Sequence, residues 1–226
     1  MTRLPAPAYT PALGPRGSIE LYDRVITLLT REKKWRASLL VALAPRDEET
    51  IVDIGAGTAS MACMIKTTQP GVRMVAIDPD PDIRTIAEAK AVRAGAAIEF
   101  VTAMGDEKLD HIVRPGSADK ILISLVLHQC PIPVKTSILA NAFRLLKPGG
   151  KLLIADYGRQ RSILMKLAFN LVRLTDGYAD TRANKDGRLP EFMRGAGFVN
   201  VKEQSITLTP TGSISIYSGT KPQAHC

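Results

Sequence analysis

The segment Ile51-Val52-Asp53-Ile54-Gly55-Ala56-Gly57-Thr58-Ala59 restricts the fold of this chain more than any other. A short apolar run of strand character ends in an acid and a glycine-rich turn, and a helical stretch from Ser60 to about Thr68 follows at once. A backbone that passes from a buried strand into a helix so abruptly needs glycine for the tight turn and for close approach of a ligand. The first amides of the new helix have no partner within it and stay available as donors. A second apolar run, Val75-Ala76-Ile77, ends in Asp78, 25 positions after Asp53. A carboxylate at the tip of a second strand can accept both hydroxyls of a ribose. Together the two strand ends specify a nucleoside-binding crevice.

At 226 residues the chain suits one α/β domain with a short extension. Its 45% hydrophobic and 23% charged content excludes a disordered chain. Met1 to Gly17 holds Pro5, Pro7, Pro11 and Pro15 and no apolar run, which argues against a signal peptide and predicts a draped tail over 1–18. No stretch of about 18 apolar residues occurs, so no membrane span is expected. Cys63, Cys130 and Cys226 are odd in number, far apart and without metal-ligand spacing, which points to a reducing cytoplasm. His111, His128 and His225 form no pair at helical spacing, so no protein-held metal is expected.

The formal charge of +8 comes from 30 basic against 22 acidic residues. Much of the surplus sits at Arg31, Lys33, Lys34 and Arg36 and at Arg159, Arg161, Lys166 and Arg173. Such clusters suit an acidic substrate or an anionic membrane surface, or are simply solvated. Nucleic acid is not expected, because no aromatic RNA-binding motif or zinc knuckle accompanies the charge.

Hydrophobic spacing predicts helices over Ile19–Leu29 and Glu32–Leu43. Strand one follows at about 50–54, strand two at 72–77, a helix over Asp82–Ala94 and strand three over Ala97–Thr102. Ala118–Val126 is a continuous apolar run suited to a central strand buried on both faces. A helix over Pro133–Leu146 is expected to stop at Lys147-Pro148-Gly149-Gly150, with strand five over Lys151–Ala155. The glycines before Lys151 superficially resemble a phosphate loop, but no earlier glycine stands at the required spacing. A longer helix (162–174), a polar stretch (175–187), a short helix (190–194) and two strands joined through Pro210-Thr211-Gly212 complete the chain. Strands alternating with helices imply a parallel sheet with right-handed crossovers, and the closely joined last pair must be antiparallel. The organisation expected is a tail (1–18), covering helices (19–49) and a core (50–221) with a lid at about 158–187.

Five parallel strands followed by an antiparallel hairpin resemble the class I S-adenosylmethionine-dependent methyltransferases, a Rossmann-like seven-stranded fold, from about Ile19 to Lys221. The resemblance implies that Asp53, Gly55, Ala56 and Gly57 hold the methionine part of the cofactor. It further implies that Asp78 binds the ribose, that Gly105-Asp106 meet the adenine, and that Pro79 and Leu125 are among the cofactor-binding residues. Ala59 departs from the family pattern, where many members carry a third glycine. Tyr22-Asp23, Trp35-Arg36, Leu125-Val126-Leu127-His128 and Phe143-Arg144-Leu145-Leu146-Lys147-Pro148-Gly149-Gly150 resemble more narrowly the ubiquinone/menaquinone-type C-methyltransferases and their phospholipid N-methyltransferase relatives. Each residue also has a structural reading. The glycines suit strand–helix packing, and Asp78 or Asp106 suits a cap or turn. Tyr22 suits either a cover over the cofactor or packing alone.

Methyl transfer from a sulfonium is an in-line displacement in which the protein supplies alignment, desolvation and, for some acceptors, a base. His128, at the end of strand four, is placed for a base or for orienting the acceptor. Its structural reading is a buried imidazole bonded to the backbone. Asp156 and Tyr157 end strand five, where such sheets open onto ligands, and are candidates for lining the acceptor pocket. The helix 162–174 is apolar almost all round, which suits a buried lid by default and a face meeting lipid or a greasy substrate otherwise.

The leading function is a methyltransferase acting on a small hydrophobic or aromatic molecule. An NAD(P)-dependent oxidoreductase competes through the same strand–glycine–helix unit, although Ser60 stands where that motif wants glycine or alanine. A non-catalytic cofactor-binding module of this fold is the third reading. A lipophilic small-molecule acceptor, peripheral contact with an anionic membrane and a homodimer are the partners left open.

Overall fold

The computed structural model describes residues 30–223. The expected tail, the helix over Ile19–Leu29, Tyr22-Asp23, His225 and Cys226 lie outside the described residues. Within them the chain forms one seven-stranded sheet of order β3-β2-β1-β4-β5-β7-β6. Its strands are β1 (Thr50–Ile54), β2 (Arg73–Asp78), β3 (Glu99–Thr102), β4 (Ala118–Ser124), β5 (Leu146–Tyr157), β6 (Val199–Thr209) and β7 (Gly212–Thr220). The first five pair in parallel, and β7 runs antiparallel to both β5 and β6. The Rossmann-like fold expected from the alternation is therefore present. Strand order turns back at β1, and β1 and β4 end side by side at the edge where such sheets bind ligands.

Helices cover both faces. They are α1 (Glu32–Leu43), α2 (Ser60–Thr68), α3 (Pro81–Ala94), α4 (Ile132–Leu145), α5 (Ile163–Asp176), α6 (Tyr178–Lys185) and α7 (Leu189–Gly195). Alternation along the strands sends Val52 and Ile54 into one core, with Ile138 and Leu139 of α4 and Met193 of α7. Ile51 enters the other, with Trp35, Leu39 and Leu43 of α1, Met61 and Ile65 of α2 and Phe169 and Val172 of α5. Asp53, two residues from Ile51, takes that second side and is fully buried.

Four elements differ from expectation. β4 stops at Ser124 because Leu125 turns into the left-handed region at φ 55, and Leu127–Gln129 then form a single 3₁₀ turn. β5 starts at Leu146 and runs through Pro148-Gly149-Gly150, with the register against β4 shifting between Ala118 and Lys120. The expected turn survives as that irregularity, held by Gly149 N to Lys221 O and Lys221 N to Gly150 O at 2.9 Å each. The polar stretch after α5 contains α6, which has no apolar stripe to announce it. It is fixed from outside, by Lys135 Nζ donating to Asp180 O at 2.8 Å and Asn184 Nδ2 donating to Tyr157 O at 3.0 Å. Finally, α5 is not buried all round: Phe169 and Val172 enter the core while Ile163, Leu164, Leu167, Leu171 and Leu174 face outward.

Candidate active site

The glycine turn follows β1 directly. Gly55 and Ala56 both donate to Ile77 O, at 2.8 and 3.0 Å, which ties the turn to β2. Gly55 sits at φ 75, and a Cβ placed there would come within 2.3 Å of Val126 Cγ2. Gly57, at φ 53, would meet no atom within 4 Å. One glycine is thus required by packing and the other leaves space beside a backbone free to approach a ligand. Ala59, the position of the missing third glycine, keeps the left-handed conformation at φ 56 as the residue before α2. Its methyl is fully buried, so the turn is preserved at the expense of backbone strain. Lys90 of α3 braces the far side, donating to Thr58 Oγ1 at 2.7 Å and Ser60 Oγ at 2.8 Å.

Asp53 and Asp78 lie on neighbouring strands at the same edge of the sheet, since Ile54 pairs with Ile77. Asp78 accepts from Gly57 N at 2.8 Å and Asp80 N at 3.1 Å, so it joins the glycine turn to the tip of β2. The helix-cap role belongs to Asp80, which accepts from Asp82 N and Ile83 N. Pro79 sits between the two acids, half-buried. Burial raises the Asp78 carboxyl, against the two amide bonds that lower it.

Asp53 is the unusual group. It is fully buried and neither carboxylate oxygen has a hydrogen-bond partner. Burial pushes its pKa up to about 7, the Arg36 guanidinium pulls the other way, and the nearby Asp78 charge adds to the rise. A buried carboxylate without a donor costs about 1–3 kcal/mol or more. A cationic ligand group is the natural complement. The open face at Gly57 and the orphaned Asp53 therefore fit the amino-acid end of an S-adenosyl donor, whose ammonium carries positive charge.

The third expected contact lies after β3. Gly105 packs tightly, since a Cβ would stand 2.7 Å from Ile54 Cγ2. Asn141 of α4 donates to Gly105 O at 2.8 Å and to Glu107 O at 2.7 Å, fixing this loop. Glu107, rather than Asp106, accepts from Met104 N and closes the turn. Asp106 is left half-buried beside it. Leu125 donates to Ala155 O at 2.8 Å, and its positive φ is uncommon for a bulky side chain.

His128 is buried on the 3₁₀ turn and does not bond to the backbone through its ring, as its structural reading supposed. Nδ1 lies 2.8 Å from Asp156 Oδ1 and Nε2 lies 3.2 Å from Asp176 Oδ2. Burial disfavours the charged ring, but the two carboxylates outweigh it and raise the pKa to about 9. At neutral pH the imidazole is therefore charged, with both nitrogens donating. Asp156 also accepts Leu127 N (2.7 Å), His128 N (3.2 Å) and Tyr157 N (2.7 Å). Tyr157 is buried, with its hydroxyl 2.8 Å from Thr211 Oγ1 and its ring edge-on to His128 at 5.0 Å. Asp156 and Tyr157, expected to line the acceptor pocket, are both buried beside the His128 ring, the first bonded to it and the second packed edge-on against it. Sequence reasoning missed Asp176 and Asn141. Asp176 had no signal because it reaches His128 from the end of α5, 48 positions further along the chain. Asn141 could have been noticed as an amide inside an apolar helix. No cluster of three or more His, Cys, Asp or Glu suited to a metal occurs among the described residues.

The profile of the ubiE/COQ5 methyltransferase family matches residues 19–175. A demethylmenaquinone methyltransferase of Clavibacter sepedonicus is 28% identical over 221 residues, covering 89% of this chain and 86% of that protein. Among solved structures, an O-methyltransferase family protein from Burkholderia thailandensis superposes with a TM-score of 0.70 at 18% identity, over 91% of this chain and 60% of its own. The phosphoethanolamine N-methyltransferase 2 of Haemonchus contortus, solved with phosphomonomethylethanolamine and S-adenosylhomocysteine, gives 0.68 at 15% identity. This chain covers 53% of it. At those identities the structures establish the fold, and none of these matches favours a dinucleotide oxidoreductase. The family match decides the chemistry: this chain belongs to the ubiE/COQ5 methyltransferase family and is an S-adenosylmethionine-dependent methyltransferase.

Proposed function

We propose that the enzyme methylates a lipophilic quinol-type acceptor in the cytoplasm, using the edge of the sheet between β1 and β4. The observation that carries the donor half is Asp53, a buried carboxylate with both oxygens unpartnered. In this reading Asp53, Gly55, Ala56 and Gly57 hold the amino-acid end of the donor. Asp78 with Pro79 takes the ribose hydroxyls. Gly105-Asp106, steadied by Asn141, border the adenine, and Leu125 borders the sulfur. When bound, the donor supplies a methyl already activated by its sulfonium.

A relative named demethylmenaquinone methyltransferase, similar over nearly the whole chain, supports a quinol as acceptor. Such a ring becomes nucleophilic when its hydroxyl loses a proton. His128 is a titratable group just beyond the end of β4, but as held between Asp156 and Asp176 it carries a proton on each nitrogen. It acts as a base only once Asp176 leaves Nε2 and the proton there is lost. Between those two events the freed Nε2 N–H is a donor that can hold and stabilise an ionised hydroxyl. Asp156 and Tyr157 are then positioning residues, which fix the ring and its tautomer. The free Cys63 and Cys130 agree with a reducing compartment, and no described helix is long and apolar enough to cross a membrane.

The test is turnover with isotopically labelled S-adenosylmethionine and a panel of reduced demethylated quinols, simple phenols and amines, read by mass spectrometry. Methyl carbon on the quinol ring is the expected product. Methylation confined to amines, or S-adenosylhomocysteine binding without any product, would overturn the acceptor assignment.

A further inference from the structure

Helix α5 presents two apolar faces. Phe169 and Val172 pack inward on Tyr157 and β7. On the other side Ile163, Leu164, Leu167, Leu171 and Leu174 are between 55% and 77% exposed. The last four follow the spacing of three, four and three, so they form one stripe along the helix. Among the described residues nothing covers it. Tyr178, immediately beyond the helix, is also half exposed and lies under the Arg173 guanidinium at 4.3 Å.

The charge along this stripe is basic apart from Asp176, the one acid of α5, which is engaged with His128. From Arg159 to Thr175 the chain carries Arg159, Arg161, Lys166 and Arg173 and no acid. Arg161 is paired with Glu203, whereas Arg159 and Lys166 are exposed. A second copy is a poor occupant: antiparallel self-pairing would set these cations against each other with no acid between Arg159 and Thr175 to meet them. The stripe is also small, about 16 Å long by about 10 Å wide, roughly 160 Å² per copy where a stable interface buries about 800 Å² a side. Leucines flanked by lysine and arginine, with an aromatic at one end, match a lipid surface carrying negative headgroups.

We propose that α5 is the surface by which this enzyme rests on an anionic bilayer. The stripe enters the acyl boundary while Arg159 and Lys166 meet the headgroups. The proposal rests on the reading of a lipophilic acceptor and supplies its route, because the last residue of the same helix, Asp176, bonds His128. The face on the lipid and the group beside the acceptor belong to one rigid element.

Cosedimentation with phosphatidylcholine vesicles, with and without phosphatidylglycerol, tests this. The wild type is expected to pellet with the phosphatidylglycerol vesicles and to be released by salt. Leu167→Ser with Leu171→Ser is expected to lower the partition coefficient about tenfold. Lys166→Glu, with the stripe intact, is expected to weaken only the phosphatidylglycerol-dependent part. All three positions are exposed, so thermal melts of the variants should overlay the wild type. Calorimetric titration of S-adenosylhomocysteine on the same samples separates the claims. Retained affinity without vesicle binding overturns the lipid surface and leaves the methyltransferase standing. Vesicle binding indifferent to the double substitution, or a dimer that the double substitution dissolves, overturns it too. Vesicle binding by an enzyme that methylates only water-soluble acceptors upholds the surface and overturns the acceptor reading.

Discussion

Asp53→Asn should make the protein more stable and worse at its task. Raising a carboxyl from 3.8 to about 7 corresponds to about 4 kcal/mol against the ionised form. At pH 8 the ligand-free protein bears that penalty, because the group is fully buried and has no donor. The folded state holds the proton more tightly than the unfolded chain between pH 3.8 and about 7. This contribution to stability is therefore present at the acid end and lost as pH rises through that window. Asparagine removes the charge but leaves an unsatisfied amide costing about 1–3 kcal/mol. The net gain at pH 8 is about 1–3 kcal/mol, or about 3–9 °C in melting temperature for a chain of this size. Near pH 4 the sign should reverse, leaving the variant less stable by the amide cost of about 1–3 kcal/mol, since the wild-type acid is then neutral. Affinity for S-adenosylhomocysteine should fall by about 10- to 100-fold, the worth of one charge-assisted bond at about 1.5–3 kcal/mol. Differential scanning calorimetry at the two pH values and calorimetric titration read both effects. A variant less stable than wild type at pH 8, or one with unchanged affinity, refutes the reasoning.

Asp78→Ala removes the acceptor of Gly57 N–H and the proposed ribose partner, and should weaken S-adenosylhomocysteine binding by about 1–3 kcal/mol by calorimetry. Gly55→Ala forces a side chain against Val126 at φ 75 and should cost about 2–4 kcal/mol in denaturant unfolding. Asn141→Ala frees Gly105 O and Glu107 O, and should lower both stability and cofactor affinity by about 1–2 kcal/mol each, measured by melts and titration. His128, raised from 6.5 to about 9, stabilises the fold fully below pH 6.5 and loses that contribution as pH rises through about 9. Asp176→Asn removes one of the two carboxylates responsible, so its melting temperature should fall less steeply across that window than that of the wild type.

The sheet was legible because its signals are local. Val52, Ile54, Ile121 and Ile123 alternate into one core, glycine marks the turns, Asp78 ends β2 and Asp53 stands one residue before the end of β1. What escaped the sequence depends on contacts between distant segments. Alpha-helix α6 is polar and is held by Lys135 and Asn184, so no periodicity could announce it. The long β5 follows from a register shift against β4 that only the paired strands reveal. His128 was visible as a candidate, yet its charge state is set by Asp156 and Asp176, 28 and 48 positions away. The apolar helix was visible as well. Which of its faces meets the core depends on the direction in which α5 crosses β7.

A crystal structure with S-adenosylhomocysteine bound addresses the donor crevice most directly. The account predicts the ligand ammonium within hydrogen-bonding distance of Asp53 and the ribose hydroxyls on Asp78, with the homocysteine sulfur facing the end of β4. A ligand seated elsewhere, with the Asp53 oxygens still without a donor, would contradict it.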